Sequence, residues 1–296
     1  MLYNCKKSLT ENRAYAIIIF VFKTRKAMNQ TVKKYRIIDS HCHIYPDKIA
    51  EKASASTSDF YKMPSLFDGK ISTLLERGGA AGIEHFIVQS VATTPKQVSS
   101  INRFIADAVA NSGGRFTGLG TLHPDSDDIA ADIDEIIELG LKGVKLHPDI
   151  QRFMIDEPRM QRIYELCEGR LAILMHTGDH RFDFSNPNRM EPVLKKYPNL
   201  TVIGAHFGGW SVWDEATESL SKYKNFLVDC SSSLYAMSPE RAKELILAYG
   251  TDRVLFGTDY PMWDIDTEIE RFMKIDFTEE QRKDILYNNA SRLFGI

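Results

Sequence analysis

From Arg36 onward, short apolar runs alternate with segments of helical spacing. The apolar runs are Arg36 to His43, Ile83 to Val91, Phe116 to Leu122, Leu141 to Leu146, Leu171 to Met175, Thr201 to Ala205, Phe226 to Val228 and Arg253 to Phe256. They are rich in Ile, Val and Leu and read as strands. Between them, Leu66 to Ala80, Ser99 to Ala110, Ile129 to Leu139, Arg159 to Cys167, Pro187 to Lys196, Trp210 to Tyr223 and Pro239 to Tyr249 predict helices. A last helix is expected from Thr278, an N-cap followed by Glu279 and Glu280, to Leu293. Residues 44–64 show no clear period, contain Tyr45-Pro46 and a Ser/Thr-rich patch at Ser54 to Ser58, and predict a long loop covering an active site. Strands that alternate with crossover helices pair in parallel, and eight of them predict an α/β fold of the (β/α)8 TIM-barrel type, a single domain over residues 36–296. An open doubly wound sheet is the alternative, against which no glycine-rich phosphate turn follows the first strand.

Residues 1–35 break the pattern. A short apolar run, Ala14 to Phe22, lies between Lys6, Lys7 and Arg13 on one side and Lys23, Arg25 and Lys26 on the other. It is shorter than the ~20 residues needed to span a bilayer, and its basic C-terminal flank does not suit signal-peptide cleavage. The segment is expected to be a disordered or loosely docked N-terminal extension, with the natural start at Met28.

Composition narrows the class. Of 296 residues, 43% are hydrophobic and 26% charged, as in an ordinary soluble globular protein, and the formal charge of −3 offers no surface for nucleic acid or an anionic membrane. Cys5, Cys42, Cys167 and Cys230 lack C-x-x-C spacing, which points to a reducing, cytoplasmic setting. The partner expected is a small-molecule substrate, and a homodimer is compatible with the chain.

The candidate chemistry lies at strand ends. Alternation along the first strand places Ile37, Asp39, His41 and His43 on one face, so the two imidazoles are neighbours. His-x-His alone is a weak signal. It gains weight because Lys145 and His147, His176, His206, Asp229 and Asp259 close later strands, and all strand C-termini of a parallel barrel open on one face. His123 ends the third strand, His85 reads as a surface residue, and His180 follows His176 in a loop. Imidazole nitrogen and carboxylate oxygen are ligands for zinc and similar ions.

His41-x-His43, His176, Gly204-Ala205-His206-Phe207-Gly208-Gly209 and Phe256-Gly257-Thr258-Asp259-Tyr260-Pro261, in that order, resemble the amidohydrolase superfamily. More narrowly, they are similar to its amidohydrolase-related branch, which holds hydrolases and aminocarboxymuconate-semialdehyde decarboxylase-like enzymes. The resemblance covers Arg36 to Ile296. It implies one divalent ion, Zn2+ first with Mn2+ or Fe2+ as alternatives, bound by His41, His43 and His176 with Asp259 binding or beside it. It also implies Asp259 as proton shuttle and His206 as the residue that polarises the substrate or holds water. Asp39 either supports these ligands or is a buried hydrogen-bonding residue at the barrel floor. Lys145 raises a second reading, a binuclear site with a carboxylated lysine, but Gly143-Val144-Lys145-Leu146-His147-Pro148 resembles the single-metal branch, where Lys145 and His147 line the substrate pocket. Arg152, Arg181, Trp210, Tyr260 and Trp263 are further candidate substrate contacts. The first expectation for function is a metal-dependent hydrolase of a small ester, lactone or amide using activated water. The alternative is a non-oxidative decarboxylase, and a non-catalytic binding barrel is a third reading that the complete ligand set disfavours.

Overall fold

The computed structural model describes residues 34–296, and Ile37–Ile296 forms one unit. The expected N-terminal extension therefore lies, but for its last two residues, outside the described residues. Within the unit, β1 (Ile38–His43), β2 (His85–Gln89), β3 (Phe116–Gly118, resumed at Gly120–Thr121), β4 (Gly143–Leu146), β5 (Ala172–Met175), β6 (Val202–Gly204), β7 (Phe226–Asp229) and β8 (Val254–Leu255) run in parallel order. Between the halves of β3, Leu119 N–H donates to Val88 O at 2.9 Å and carries the ladder across the break. β8 meets β1 through Ser40 N–H to Phe256 O at 2.9 Å and His43 N–H to Tyr260 O at 2.7 Å. The sheet closes, and the fold is the (β/α)8 barrel that the alternating pattern predicts.

Ile38, Ile87, Leu119, Leu174, Ile203 and Leu255 pack with Ala290 and Phe294 of the last helix in one buried cluster. Removing side chains of this size from water stabilises the fold by about 1.5–3 kcal/mol each. On β1, β5, β6 and β8 the cluster's apolar residue precedes the polar residue at or just beyond the strand end, His41, His176, His206 or Asp259, so the barrel is filled below its chemistry. One detail corrects the simple alternation along β1. The register shifts between Asp39 and Cys42, so Ile38 rather than Ile37 joins the interior cluster while His41 and His43 still meet. A bulge adds a residue to one strand and resets which face each side chain takes.

The segment expected to be a loop over residues 44–64 is largely helix: α1 (Asp47–Tyr61). It buries only Ala50 and Ser54, which is why no apolar stripe marks it, and it stops at Lys62 in the left-handed region with φ 55°. Ser54 Oγ donates to Phe67 O at 2.8 Å and pins its middle. The crossover helices follow as α2 (Ile71–Ala81), α3 (Val98–Ala110), α4 (Ile129–Glu138), α5 (Pro158–Cys167), α6 (Met190–Lys196), α7 (Trp213–Leu220) and α8 (Pro239–Tyr249). The pattern did not predict α9 (Ile265–Met273), whose Asp264 cap accepts from Thr267 N–H at 3.0 Å and which buries Ile265, Ile269 and Phe272. The expected last helix spans Glu279–Lys283, a π-turn at Asp284–Asn288, and Asn289–Phe294. The π-turn has a local cause: the Ile285 carbonyl accepts from Phe256 N–H at 3.0 Å, linking helix to barrel. Among the described residues no helix is long and apolar enough to cross a membrane.

Candidate active site

Three strand ends bring acceptor atoms together. His41 Nε2 lies 3.2 Å from His43 Nε2 and 3.4 Å from Asp259 Oδ1, and His43 Nε2 is 3.6 Å from the same oxygen. His41 Nδ1 faces Asp229 Oδ2 at 2.9 Å, so Nδ1–H donates and the Nε2 lone pair is left for the pocket. Burial, with the Lys145 charge second, holds His41 well below the usual imidazole range, and burial does the same to His43. Neutral imidazoles and a carboxylate converging at these distances are a donor set that fits a divalent cation. Burial pushes the Asp259 carboxyl up to about 7, against the hydrogen bond from Ser232.

His176 does not fall in that trio. It groups with His147 and Asp149: the His147 and His176 rings stack with centroids 4.0 Å apart, and His176 Nε2 is 3.7 Å from Asp149 Oδ2. His176 nevertheless lines the same pocket as Asp259. His206 stands between, its ring 5.1 Å from that of His41 and 5.0 Å from that of His176. Its Nδ1 reaches Ser231 O at 3.1 Å, which leaves Nε2 as the acceptor, and burial lowers its pKa to about 3. His206 and Asp259 both hold φ 60°, a left-handed conformation that costs a non-glycine residue of order 1 kcal/mol or more and often marks a functional site.

Asp229 ties these groups together. Besides His41 Nδ1, it accepts from His206 N–H at 3.1 Å, Ser231 N–H at 3.0 Å and Ser231 Oγ at 2.5 Å. Asp39 is buried and joins β1 to the turn after β8: it accepts from Thr258 N–H at 2.9 Å, Thr258 Oγ1 at 2.5 Å and His41 N–H at 3.2 Å. It thereby fixes the turn that carries Asp259. Lys145 is buried with Nζ 3.3 Å from His41 Nε2, and burial lowers its pKa to about 8 while Asp229 and Asp259 oppose the fall.

The pocket is lined by Tyr61, Met63, His176, His206, Trp210, Ser232, Asp259, Met262 and Trp263. Trp210 and Trp263, candidate substrate contacts from the sequence, are among these lining residues. Arg152 is exposed and does not line this pocket. Arg181 pairs with Asp179, Nη2 to Oδ2 at 2.6 Å, and donates to Phe60 O at 2.8 Å, which fastens the end of α1. The Tyr260 hydroxyl turns away to Lys70 O at 2.8 Å. Sequence reasoning missed Tyr61, whose hydroxyl sits 2.6 Å from His147 Nε2 and 3.5 Å from His176 Nε2, because α1 reads as a loop. It also missed Ser231, Ser232 and Asp149, and no strand-end pattern singles them out.

A parallel barrel with a His/Asp cation-binding set at its strand C-termini defines a metal-dependent enzyme class. The amidohydrolase family model (Amidohydro_2) matches residues 38–296, and the chain belongs to that family, in the amidohydrolase superfamily. It is 32% identical over 265 residues to gamma-resorcylate decarboxylase of Polaromonas sp. (strain JS666 / ATCC BAA-500), covering 71% of this chain and 80% of the relative. It is 24% identical over 240 residues to 2-amino-3-carboxymuconate-6-semialdehyde decarboxylase of Dictyostelium discoideum, covering 66% of each. Among solved structures it resembles a dihydroxybenzoic acid decarboxylase from Polaromonas sp. JS666 with bound manganese and the inhibitor 2-nitroresorcinol, with TM-score 0.68 and 19% identity over 88% of this chain and 97% of that one. These relatives correct the first functional expectation, hydrolysis of an ester, lactone or amide, because all three are decarboxylases. The same imidazole and carboxylate cage serves both reactions, so the ligands alone did not separate them.

Proposed function

We propose that this enzyme is a metal-dependent, non-oxidative decarboxylase of a small planar carboxylic acid, with a hydroxylated benzoate as the substrate class. The observation that carries the reading is the setting of Asp259, a largely buried carboxyl whose Oδ1 faces His41 and His43 in a pocket walled by Tyr61, Trp210 and Trp263. A carboxyl positioned at the pocket wall can pass a proton to carbon, and flat aromatic walls suit a flat ring. The relatives' substrates, gamma-resorcylate and aminocarboxymuconate semialdehyde, are themselves carboxylated and unsaturated.

His41, His43, His176 and Asp259 would hold the ion, Zn2+ or, as in the Polaromonas barrel, Mn2+. When bound, it supplies positive charge against which the substrate's carboxylate is oriented. Asp259 delivers a proton to the carbon that bears the carboxylate. The carbon–carboxyl bond then breaks, its electron pair restores the ring, and carbon dioxide leaves. Asp259 is left ionised and regains its proton from solvent, so each turnover consumes one proton. His206, neutral and with Nε2 free, accepts a hydrogen bond from a ring hydroxyl. Trp210 and Trp263 exclude water from the departing group, and Lys145 holds positive charge behind His41. The three buried free thiols, Cys42, Cys167 and Cys230, support a cytoplasmic setting.

The test is a screen of hydroxylated benzoic acids against metal-loaded protein, recording carbon dioxide and pH together. Carbon dioxide release with matching proton uptake supports the reading. A panel in which no acid releases carbon dioxide would sink it.

A further inference from the structure

Ser232 follows β7 and takes a left-handed backbone, φ 47°, in the pocket wall. Its Oγ lies 2.5 Å from Asp259 Oδ2 and 2.7 Å from Trp263 Nε1. An indole N–H can only donate, so it occupies a lone pair of Ser232 Oγ and leaves the serine's own hydrogen for Asp259. The relay has one direction, Trp263 to Ser232 to Asp259. Trp263 is in turn held by stacking on Tyr235, centroids 4.4 Å apart, and by the Arg271 guanidinium 5.4 Å from its ring centre. The other oxygen, Asp259 Oδ1, is the one that faces His41 and His43.

We infer that Ser232, oriented by Trp263, is a positioning residue that fixes the rotation of the Asp259 carboxyl, so that Oδ1 faces the paired imidazoles while Oδ2 is held by the serine hydroxyl. The inference rests on the decarboxylase reading for its kinetic consequence but not for its geometry. A short charge-assisted hydrogen bond restricts a carboxyl that would otherwise turn about its Cβ–Cγ bond. The strained backbone at both Ser232 and Asp259 is consistent with selection for this alignment over local comfort.

The experiment compares wild type, Ser232→Ala and Ser232→Thr, each by crystal structure and by steady-state kinetics. Ser232→Ala is expected to turn the Asp259 carboxyl away from its wild-type rotation and to lower kcat by about 10- to 100-fold with KM changed by less than about threefold, the scale of a misaligned catalytic group. Ser232→Thr keeps the hydroxyl and is expected to restore both the rotation and most of kcat. An unchanged Asp259 rotation in Ser232→Ala overturns the inference, as does a rotated carboxyl with wild-type kcat. Absence of carbon dioxide release by wild type on every acid would instead count against the decarboxylase reading, and the crystal comparison would still decide the role of Ser232.

Discussion

His41 Nδ1 and Asp229 Oδ2 are 2.9 Å apart, and this contact between β1 and β7 decides which nitrogen of His41 faces the pocket. The carboxylate holds the ring by its Nδ1–H and makes Nε2 the better electron donor. Asp229→Asn is therefore expected to weaken divalent-metal binding by about 10- to 100-fold, as loss of an outer carboxylate partner does. Competition with a chelating dye measures it, and unchanged affinity would contradict the role given to Asp229.

Asp259→Asn keeps size and one oxygen but cannot carry the proton. Carbon dioxide release should fall by a factor of about 10² to 10⁴, the scale of a lost positioned acid, while most of the metal is retained. Metal content and turnover measured on the same sample separate the two roles. Near wild-type turnover would remove Asp259 from the proton path.

The Tyr61 hydroxyl reaches both His147 and His176. Tyr61→Phe preserves the ring against Trp210, 5.2 Å away between centroids, so the fold should lose only about 1 kcal/mol. Turnover should fall about tenfold. Urea denaturation beside kcat makes the comparison; a loss of stability with unchanged kcat would assign Tyr61 to packing alone.

How much of this was readable from sequence differs by residue. His41, His43, His206 and Asp259 were legible because each ends an apolar run, and a parallel barrel converts that one-dimensional mark into proximity. His176 carried the same mark, and its ring lies against His147 and 5.0 Å from that of His206 on the pocket that Asp259 also lines. α1 was illegible because a helix that buries Ala50 and Ser54 alone leaves no hydrophobic period. α9 did carry a signal, Ile265, Ile269 and Phe272 after the Asp264 cap, in a stretch where the strand-and-helix alternation had already supplied its eighth strand. The choice between hydrolysis and decarboxylation was absent from the ligands, because both readings draw on the same imidazole and carboxylate cage.

Glu268 on α9 offers a pH test away from the metal ligands. Burial raises its pKa from 4.5 to about 7, with the Arg271 guanidinium opposing. The folded chain thus keeps a proton that the unfolded chain loses, so this group's contribution to stability falls as pH rises from about 4.5 to about 7. Glu268→Gln is expected to abolish that part of the pH dependence and to gain on wild type as pH rises through the window. Thermal melts of both proteins from pH 4.5 to 8 give the difference; a gap in Tm that does not change with pH would contradict the assignment.

The central claim is that an ion held among His41, His43, His176 and Asp259 supports loss of carbon dioxide from a planar acid. The most direct measurement is 13CO2 released from a hydroxybenzoic acid labelled at its carboxyl carbon, with protein stripped by chelator and then reloaded with Mn2+ or Zn2+. Label in the gas phase should equal the decarboxylated product formed, be lost on stripping, return on reloading and be absent in His41→Ala. Labelled carbon dioxide that persists in fully stripped protein, or that the His41→Ala protein releases at the wild-type rate, would contradict it.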